Sequence, residues 1–152
     1  MSDPKIGTVL LGPGAGVGEK TAELVMQATL KGRNMVLDAD ALTSLVGRLD
    51  VFSNAKGCEI VLTPHEGEFI RLFPDLDFKA DRISAVRQAA SVSGCTVVLK
   101  GVSTVVAAPD GRVSIASNAP AWLSVGGTGD VLAGMIGSLL AQGMPAFEAA
   151  SA

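Results

Sequence analysis

The chain has 152 residues, of which 48% are hydrophobic and 18% charged, with a formal net charge of −3. This composition excludes a disordered chain, and the acidic balance argues against nucleic acid or an anionic membrane as a partner. No apolar run approaches the roughly 18 residues that span a bilayer. The first residues show no signal-peptide pattern. We therefore expect a cytoplasmic protein, in which Cys58 and Cys95 are reduced thiols.

The first half of the chain alternates short apolar runs with amphipathic segments. Strands are predicted at 5–11, 35–37 and 59–62, and helices at 19–30, 41–49 and 65–73. Asp40 is the predicted N-cap of the second helix. Aromatic residues make up only 4% of the chain, so the core is built from aliphatic side chains, which is typical of parallel strands covered on both faces.

The second half continues with a helix at 78–93, a strand at 96–99 and two strands, 104–108 and 112–116, around a Pro-Asp-Gly turn. A last long helix is predicted at 131–142, and another begins at 145–152. The order predicts an α/β layered fold: a mostly parallel central sheet flanked by helices, with an antiparallel hairpin near the edge. We expect a single domain over 1–152, incomplete at its N-terminus and extreme C-terminus.

The glycine-rich loop 12–18 follows the first strand and precedes the first helix, where a phosphate can bind to a helix N-terminus. It does not fit GxGxxG, since Val17 or Glu19 stands where a glycine is needed. Glu19 also precedes Lys20, which excludes a Walker A loop. The loop is therefore either a tight strand-to-helix turn or a place where a ligand approaches bare backbone.

The second glycine-rich segment, 126–130, opens the last long helix. Its backbone can approach a ligand closely, and the free N–H groups of the helix can stabilise an anion or a phosphoryl group in transfer. Asp130 either complements the helix dipole or takes a proton from a substrate hydroxyl, as a kinase aspartate does.

Three polar residues follow predicted strands, where open α/β sheets bind ligands. Lys100 is either a phosphate ligand or a solvated lysine at a turn. His65, the only histidine, either caps a helix or contacts a ligand. Asp38 can reach a metal-bound water, but no spacing of carboxylates, histidines or cysteines indicates a dedicated metal site.

Taken in order, five motifs resemble the NAD(P)H-hydrate dehydratases, a family of the ribokinase-like superfamily formerly described as carbohydrate kinases. The motifs are GPGAG at 12–16, LDADAL at 37–42, LTPHEGE at 62–68, LKG at 99–101 and GTGDVLAG at 127–134. The resemblance covers nearly the whole chain and implies a ribokinase-like fold.

The resemblance also implies a reaction. NADH or NADPH hydrated on its nicotinamide ring is dehydrated, with hydrolysis of ADP or ATP and with Mg²⁺ as cofactor. Hydroxide is a poor leaving group, and phosphorylation of the hydroxyl turns it into a good one. A homo-oligomer and a fused or separate epimerase that acts on the same hydrate belong to the family pattern.

Residue roles follow from the resemblance as well. Asp130 would bind the substrate and deprotonate its hydroxyl, while the amides of Gly127, Thr128 and Gly129 would stabilise the phosphoryl group. Gly14, Gly16 and His65 would contact the hydrated dinucleotide. The adenine nucleotide would contact one loop and one glycine of the second glycine segment, namely Lys100, Gly101, Val102, Ser103, Thr104 and Gly129.

Two alternatives stay open. One is a ribokinase-like kinase of a small alcohol, of the hydroxymethylpyrimidine or hydroxyethylthiazole type, which would share the aspartate and the glycine loop. The other is a non-catalytic nucleotide-binding fragment.

Overall fold

Six short strands form one mixed sheet in the computed structural model, which describes residues 6–55, 57–117 and 125–152. The strands are β1 (Thr8–Leu11), β2 (Asn34–Leu37), β3 (Ile60–Leu62), β4 (Thr96–Leu99), β5 (Thr104–Ala107) and β6 (Val113–Ala116). They lie side by side in chain order. Strands β1 to β4 are parallel, and β4, β5 and β6 are antiparallel. The predicted mostly parallel sheet with an antiparallel hairpin at its edge is confirmed.

Helices cover both faces of this sheet. They are α1 (Glu19–Leu30), α2 (Ala39–Ser44), α3 (Glu66–Leu72), α4 (Arg82–Ser93), α5 (Thr128–Ala141) and α6 (Ala146–Ser151), with a 3₁₀ helix at Leu49–Asn54. Helix α4 packs on β4 and β5, and α1 contacts α2 and the 3₁₀ helix. Helix α5 packs on β1 and β2, and α6 lies beside it against β3, β4 and β5.

The side chains along a strand alternate between two hydrophobic cores, because successive side chains point to opposite faces of the sheet. Met35 and Leu37 of β2 are buried in the larger cluster together with α1, α2 and α4, whereas Val36 between them is buried with α5 and α6. Strands β3 and β4 follow the same alternation. Aliphatic strands buried on both faces are the expected state of a parallel sheet with helices on each side.

The largest difference from the sequence prediction lies between β2 and β3. The helix expected at 41–49 begins at Ala39 and ends at Ser44, and a 3₁₀ helix follows at Leu49–Asn54. The prediction of Asp40 as N-cap was wrong. Asp38 is the N-cap, and Asp40 lies inside the first turn, where its carboxylate accepts a hydrogen bond from the backbone of Gly16.

Two other helix starts differ from the prediction. Helix α4 begins at Arg82 rather than at 78, because the Asp81 carboxylate accepts hydrogen bonds from the N–H groups of Ile83 and Ser84, each at 3.0 Å. Helix α5 begins at Thr128 rather than at 131, so that part of the second glycine segment is already helical. The remaining bounds agree or differ by at most three residues, and Lys5 of the predicted first strand lies outside the described residues.

Both cysteines are reduced thiols, as predicted. Cys95 is buried before β4, and burial raises the pKa of its thiol to about 12. Within the described parts of the chain, none of the helices has the length and apolar character needed to cross a membrane.

Candidate active site

The candidate site lies where the parallel strands end. Just beyond the strands, backbone hydrogen bonds continue from one chain segment to the next: Asp38 donates to Leu11, and Thr63 donates to Leu37. Lys100 donates in the same way to Pro64 at 2.9 Å. This extended pairing aligns the residues that follow β2, β3 and β4 along one edge of the sheet, the edge at which open α/β sheets bind ligands.

An ion pair with a buried carboxylate joins two of these strand ends. The Lys100 ammonium lies 2.7 Å from the Asp38 carboxylate, and the side chains are 21% and 3% exposed respectively. Among the described residues, Lys100 is the only side chain that bonds to this carboxylate. Lys100 is therefore not a solvated lysine, because its ammonium is fixed at the strand ends by the ion pair with Asp38.

The N-terminus of α5 faces this ion pair. A Cβ atom added to Gly129 would lie 3.3 Å from the Lys100 ammonium and 3.8 Å from the Asp38 carboxylate. The turn before the helix uses Gly127 in the left-handed region, with φ +91°. The first N–H groups of a helix have no partner within the helix. An anion at this point would meet both those N–H groups and a lysine, which is the chemistry of a phosphate site.

Asp130 is the third residue of α5 and is exposed. Within the described chain, its carboxylate has no hydrogen-bond or ion-pair partner. Thr128, by contrast, directs its hydroxyl to the carbonyl of Val125 at 2.9 Å. Asp130 is thus free to meet a substrate at the same helix end that faces Lys100. Its role as a base stays a prediction.

Hydrogen bonds to side chains of α2 fix the backbone of the first glycine loop. The N–H of Gly16 donates to Asp40 at 2.9 Å, and the N–H of Gly18 donates to the hydroxyl of Ser44 at 3.0 Å. Gly12 has φ +141°, and a Cβ there would lie 1.7 Å from the carbonyl oxygen of Asp38. The loop is therefore a tight turn at Gly12 and Gly16. Gly14 is exposed with open space around it, so a contact with a ligand stays a prediction for it and for Gly16.

His65 caps helix α3. Its Nδ1 accepts a hydrogen bond from the backbone of Glu68 at 3.2 Å, and the Glu68 carboxylate accepts one from the backbone of His65 at 2.9 Å. This reciprocal capping box satisfies two donors at the start of the helix. The imidazole is 55% exposed, so its predicted contact with the hydrated dinucleotide is compatible with this role and stays a prediction.

The loop between β4 and β5 carries the predicted nucleotide contacts. Val102 at its tip is 94% exposed, while Ser103 and Thr104 are half-buried. The sequence analysis missed Arg82, whose guanidinium donates to the carbonyl of Ser103 at 3.1 Å. No signal for this role was present in the sequence, because the helix was predicted from residue 78 and Arg82 therefore lay inside it, whereas in the structure Arg82 is the first residue of α4.

Two other kinds of site are relevant among the described residues, a metal site and a cavity. Within the described residues, no three carboxylate, histidine or cysteine side chains come together as a metal site. The described residues therefore offer Mg²⁺ no dedicated set of side-chain ligands. A cavity of about 390 Å³ lies between α1 and the 3₁₀ helix, with Met26, Leu30 and Arg48 in its wall. It contains none of the predicted site residues.

Comparisons with known proteins identify relatives of this chain. A family described as NAD(P)H-hydrate dehydratase matches residues 2–152. The ADP-dependent (S)-NAD(P)H-hydrate dehydratase of Neisseria meningitidis is 48% identical over 121 residues, which cover 78% of this chain and 41% of that protein. The bifunctional NAD(P)H-hydrate repair enzyme Nnr of Gloeobacter violaceus is 46% identical over 138 residues, 91% of this chain and 27% of that enzyme.

A solved structure shares the fold. The ADP/ATP-dependent NAD(P)H-hydrate dehydratase from Bacillus subtilis, co-crystallised with ATP and Mg²⁺, superposes with a TM-score of 0.77 at 30% identity. The match covers 89% of this chain and 47% of that structure, so the chain spans about half of it and less than half of the curated relatives. The ribokinase-like fold prediction is confirmed. The chain belongs to the NAD(P)H-hydrate dehydratase family.

Proposed function

We propose that this chain carries the catalytic site of an enzyme that dehydrates hydrated NADH or NADPH, with hydrolysis of ADP or ATP. One observation carries the proposal. The Lys100 ammonium, which is paired with the buried carboxylate of Asp38, faces the N-terminus of α5 at Gly129. A lysine and the first amides of a helix together suit the negative charge of a phosphoryl group in transfer. Family membership supports the choice of substrate.

The proposed chemistry begins with the exposed carboxylate of Asp130. It accepts the proton of the substrate hydroxyl while the hydroxyl oxygen bonds to the terminal phosphorus of the nucleotide, and the bond from that phosphorus to its bridging oxygen breaks. The phosphorylated intermediate then loses phosphate as its carbon–oxygen bond breaks, and the neighbouring ring carbon loses a proton. The products are NADH or NADPH, inorganic phosphate and the shortened nucleotide.

The residues around the reacting groups have separate proposed roles. Lys100 and the amides of Gly127, Thr128 and Gly129 bind the phosphoryl group. The loop from Gly101 to Thr104 contacts the adenine nucleotide. Mg²⁺ arrives with the nucleotide and neutralises part of its charge. Gly14, Gly16 and His65 contact the hydrated dinucleotide.

We further propose that the protein acts together with an epimerase, which interconverts the two forms of the hydrate. The support is that the Gloeobacter relative is named a bifunctional repair enzyme. A homo-oligomer in the cytoplasm remains the proposed working state of the protein.

The test follows the recovery of NADH absorbance from chemically hydrated NADH, with Mg²⁺ and with ADP or ATP in turn. The protein in its native length is assayed beside the 152-residue chain. Asp130→Asn abolishes turnover, by at least about a hundredfold, and leaves the nucleotide Kd within about twofold. Asp75→Asn, which changes an exposed carboxylate in the turn after α3, is the matched control and keeps full activity. Turnover by Asp130→Asn at the wild-type rate would remove Asp130 from the mechanism.

A further inference from the structure

Arg82 is placed unusually for an arginine at a helix start. It is the first residue of α4, where the helix dipole disfavours a positive charge. Its side chain is only 27% exposed and turns away from its own helix toward the loop after β4. A partly buried cation in an unfavourable helix position needs compensation from other contacts.

Those contacts come from two different segments. The guanidinium donates to the carbonyl of Ser103 at 3.1 Å and approaches the carbonyl of Lys100 at 3.5 Å, and it forms an ion pair with Glu66. It also lies over the ring of Phe78, 5.5 Å from the ring centroid. One planar group thus links the start of α3 with both ends of the loop from Lys100 to Ser103.

Gly101 shows how closely the loop wraps around this group. A Cβ atom at Gly101 would lie 2.4 Å from the nearer guanidinium nitrogen, closer than any real contact of that kind. The backbone at Gly101 and the guanidinium therefore occupy neighbouring space that leaves no room for a side chain. Lys100, immediately before Gly101, is the residue that presents its ammonium to the N-terminus of α5.

From these contacts we infer that Arg82, anchored by Glu66, is a positioning residue that shapes the loop Lys100–Ser103 for nucleotide binding. The inference rests on the proposed function in taking this loop as the nucleotide site. A lysine cannot replace Arg82, because a single ammonium cannot span the diverging acceptors of Glu66 and Ser103 as a planar fork does.

The experiment measures nucleotide Kd by calorimetry, and KM and kcat by NADH recovery, on the native-length protein. Arg82→Lys raises the Kd and KM for the nucleotide at least about tenfold, because the loop is displaced, while the KM for hydrated NADH changes less. Arg87→Lys, on the exposed side of the same helix, is the matched control and stays within about twofold. A merely structural role for Arg82 would lower the melting temperature without moving the nucleotide Kd, and this result would overturn the inference.

A second pair of variants tests the contact itself. Gly101→Ala weakens nucleotide binding in the wild type, because the new methyl group displaces the guanidinium. In the Arg82→Ala background the same substitution adds little, since the space is then free, and the two effects are not additive. Fully additive effects would overturn the inference.

The outcomes also separate the inference from the proposed function. If the wild type binds nucleotide but does not restore NADH, the proposed function fails, and the nucleotide Kd of the Arg82 variants still decides the inference. If the wild type binds neither ADP nor ATP, both are overturned.

Discussion

The buried pair of Asp38 and Lys100 makes a quantitative prediction about stability. Lys100→Met keeps most of the apolar stem and removes the charge, which leaves a carboxylate that is 3% exposed without a bonded partner among the described residues. Breaking a buried ion pair from one side costs about 3–5 kcal/mol, because the remaining charge is desolvated and unpaired. At roughly 2–4 °C per kcal/mol for a domain of this size, the melting temperature falls by at least about 6 °C.

The assay is urea unfolding followed by circular dichroism, with thermal melts beside it. Asp38→Asn combined with Lys100→Met recovers a large part of the loss, because no buried charge then remains. Lys79→Met, at an exposed lysine, is the matched control and changes the unfolding free energy by less than about 0.5 kcal/mol. A loss below about 1 kcal/mol for Lys100→Met would refute the view that Asp38 depends on Lys100.

Two further predictions concern single side chains. His65→Ala removes the capping box of α3 and lowers the unfolding free energy by about 1 kcal/mol, whereas His65→Asn, which can still cap, keeps most of it. Urea unfolding checks this, and equal stability of the alanine variant would contradict the capping role. In the folded protein burial raises the pKa of the Cys95 thiol to about 12, whereas in the unfolded protein the thiol loses its proton from about pH 9. The unfolding free energy of the wild type therefore falls between pH 9 and 12 by about 1.4 kcal/mol per pH unit relative to Cys95→Ala, and parallel curves for the two proteins would exclude this effect.

Local sequence patterns determined most of the fold. Short apolar runs and helical spacing are properties of consecutive residues, so they located the six strands and the six α-helices of the described chain. They did not predict the 3₁₀ helix at Leu49–Asn54. The Pro-Asp-Gly turn predicted the antiparallel hairpin for the same reason. The predicted cap at Asp40 failed because the helix already begins at Ala39, after Asp38 in the N-cap position, whose carboxylate pairs with Lys100 and caps no N–H group. Ala39 has φ +46°. That backbone conformation is disfavoured for alanine and cannot be read from composition.

The sequence by itself determined the motifs, the family resemblance and the position of Asp130 at a helix start. Only the tertiary structure decided which of these residues meet. Asp38 and Lys100 are 62 residues apart in the chain and 2.7 Å apart in space, and Arg82 reaches Ser103 across 21 residues. Such contacts depend on the register of parallel strands and on the helix that covers their ends, and a sequence pattern describes neither. The sequence therefore could not decide whether Lys100 is solvated. The structure shows that it is not, because the sheet places its ammonium against the carboxylate of Asp38.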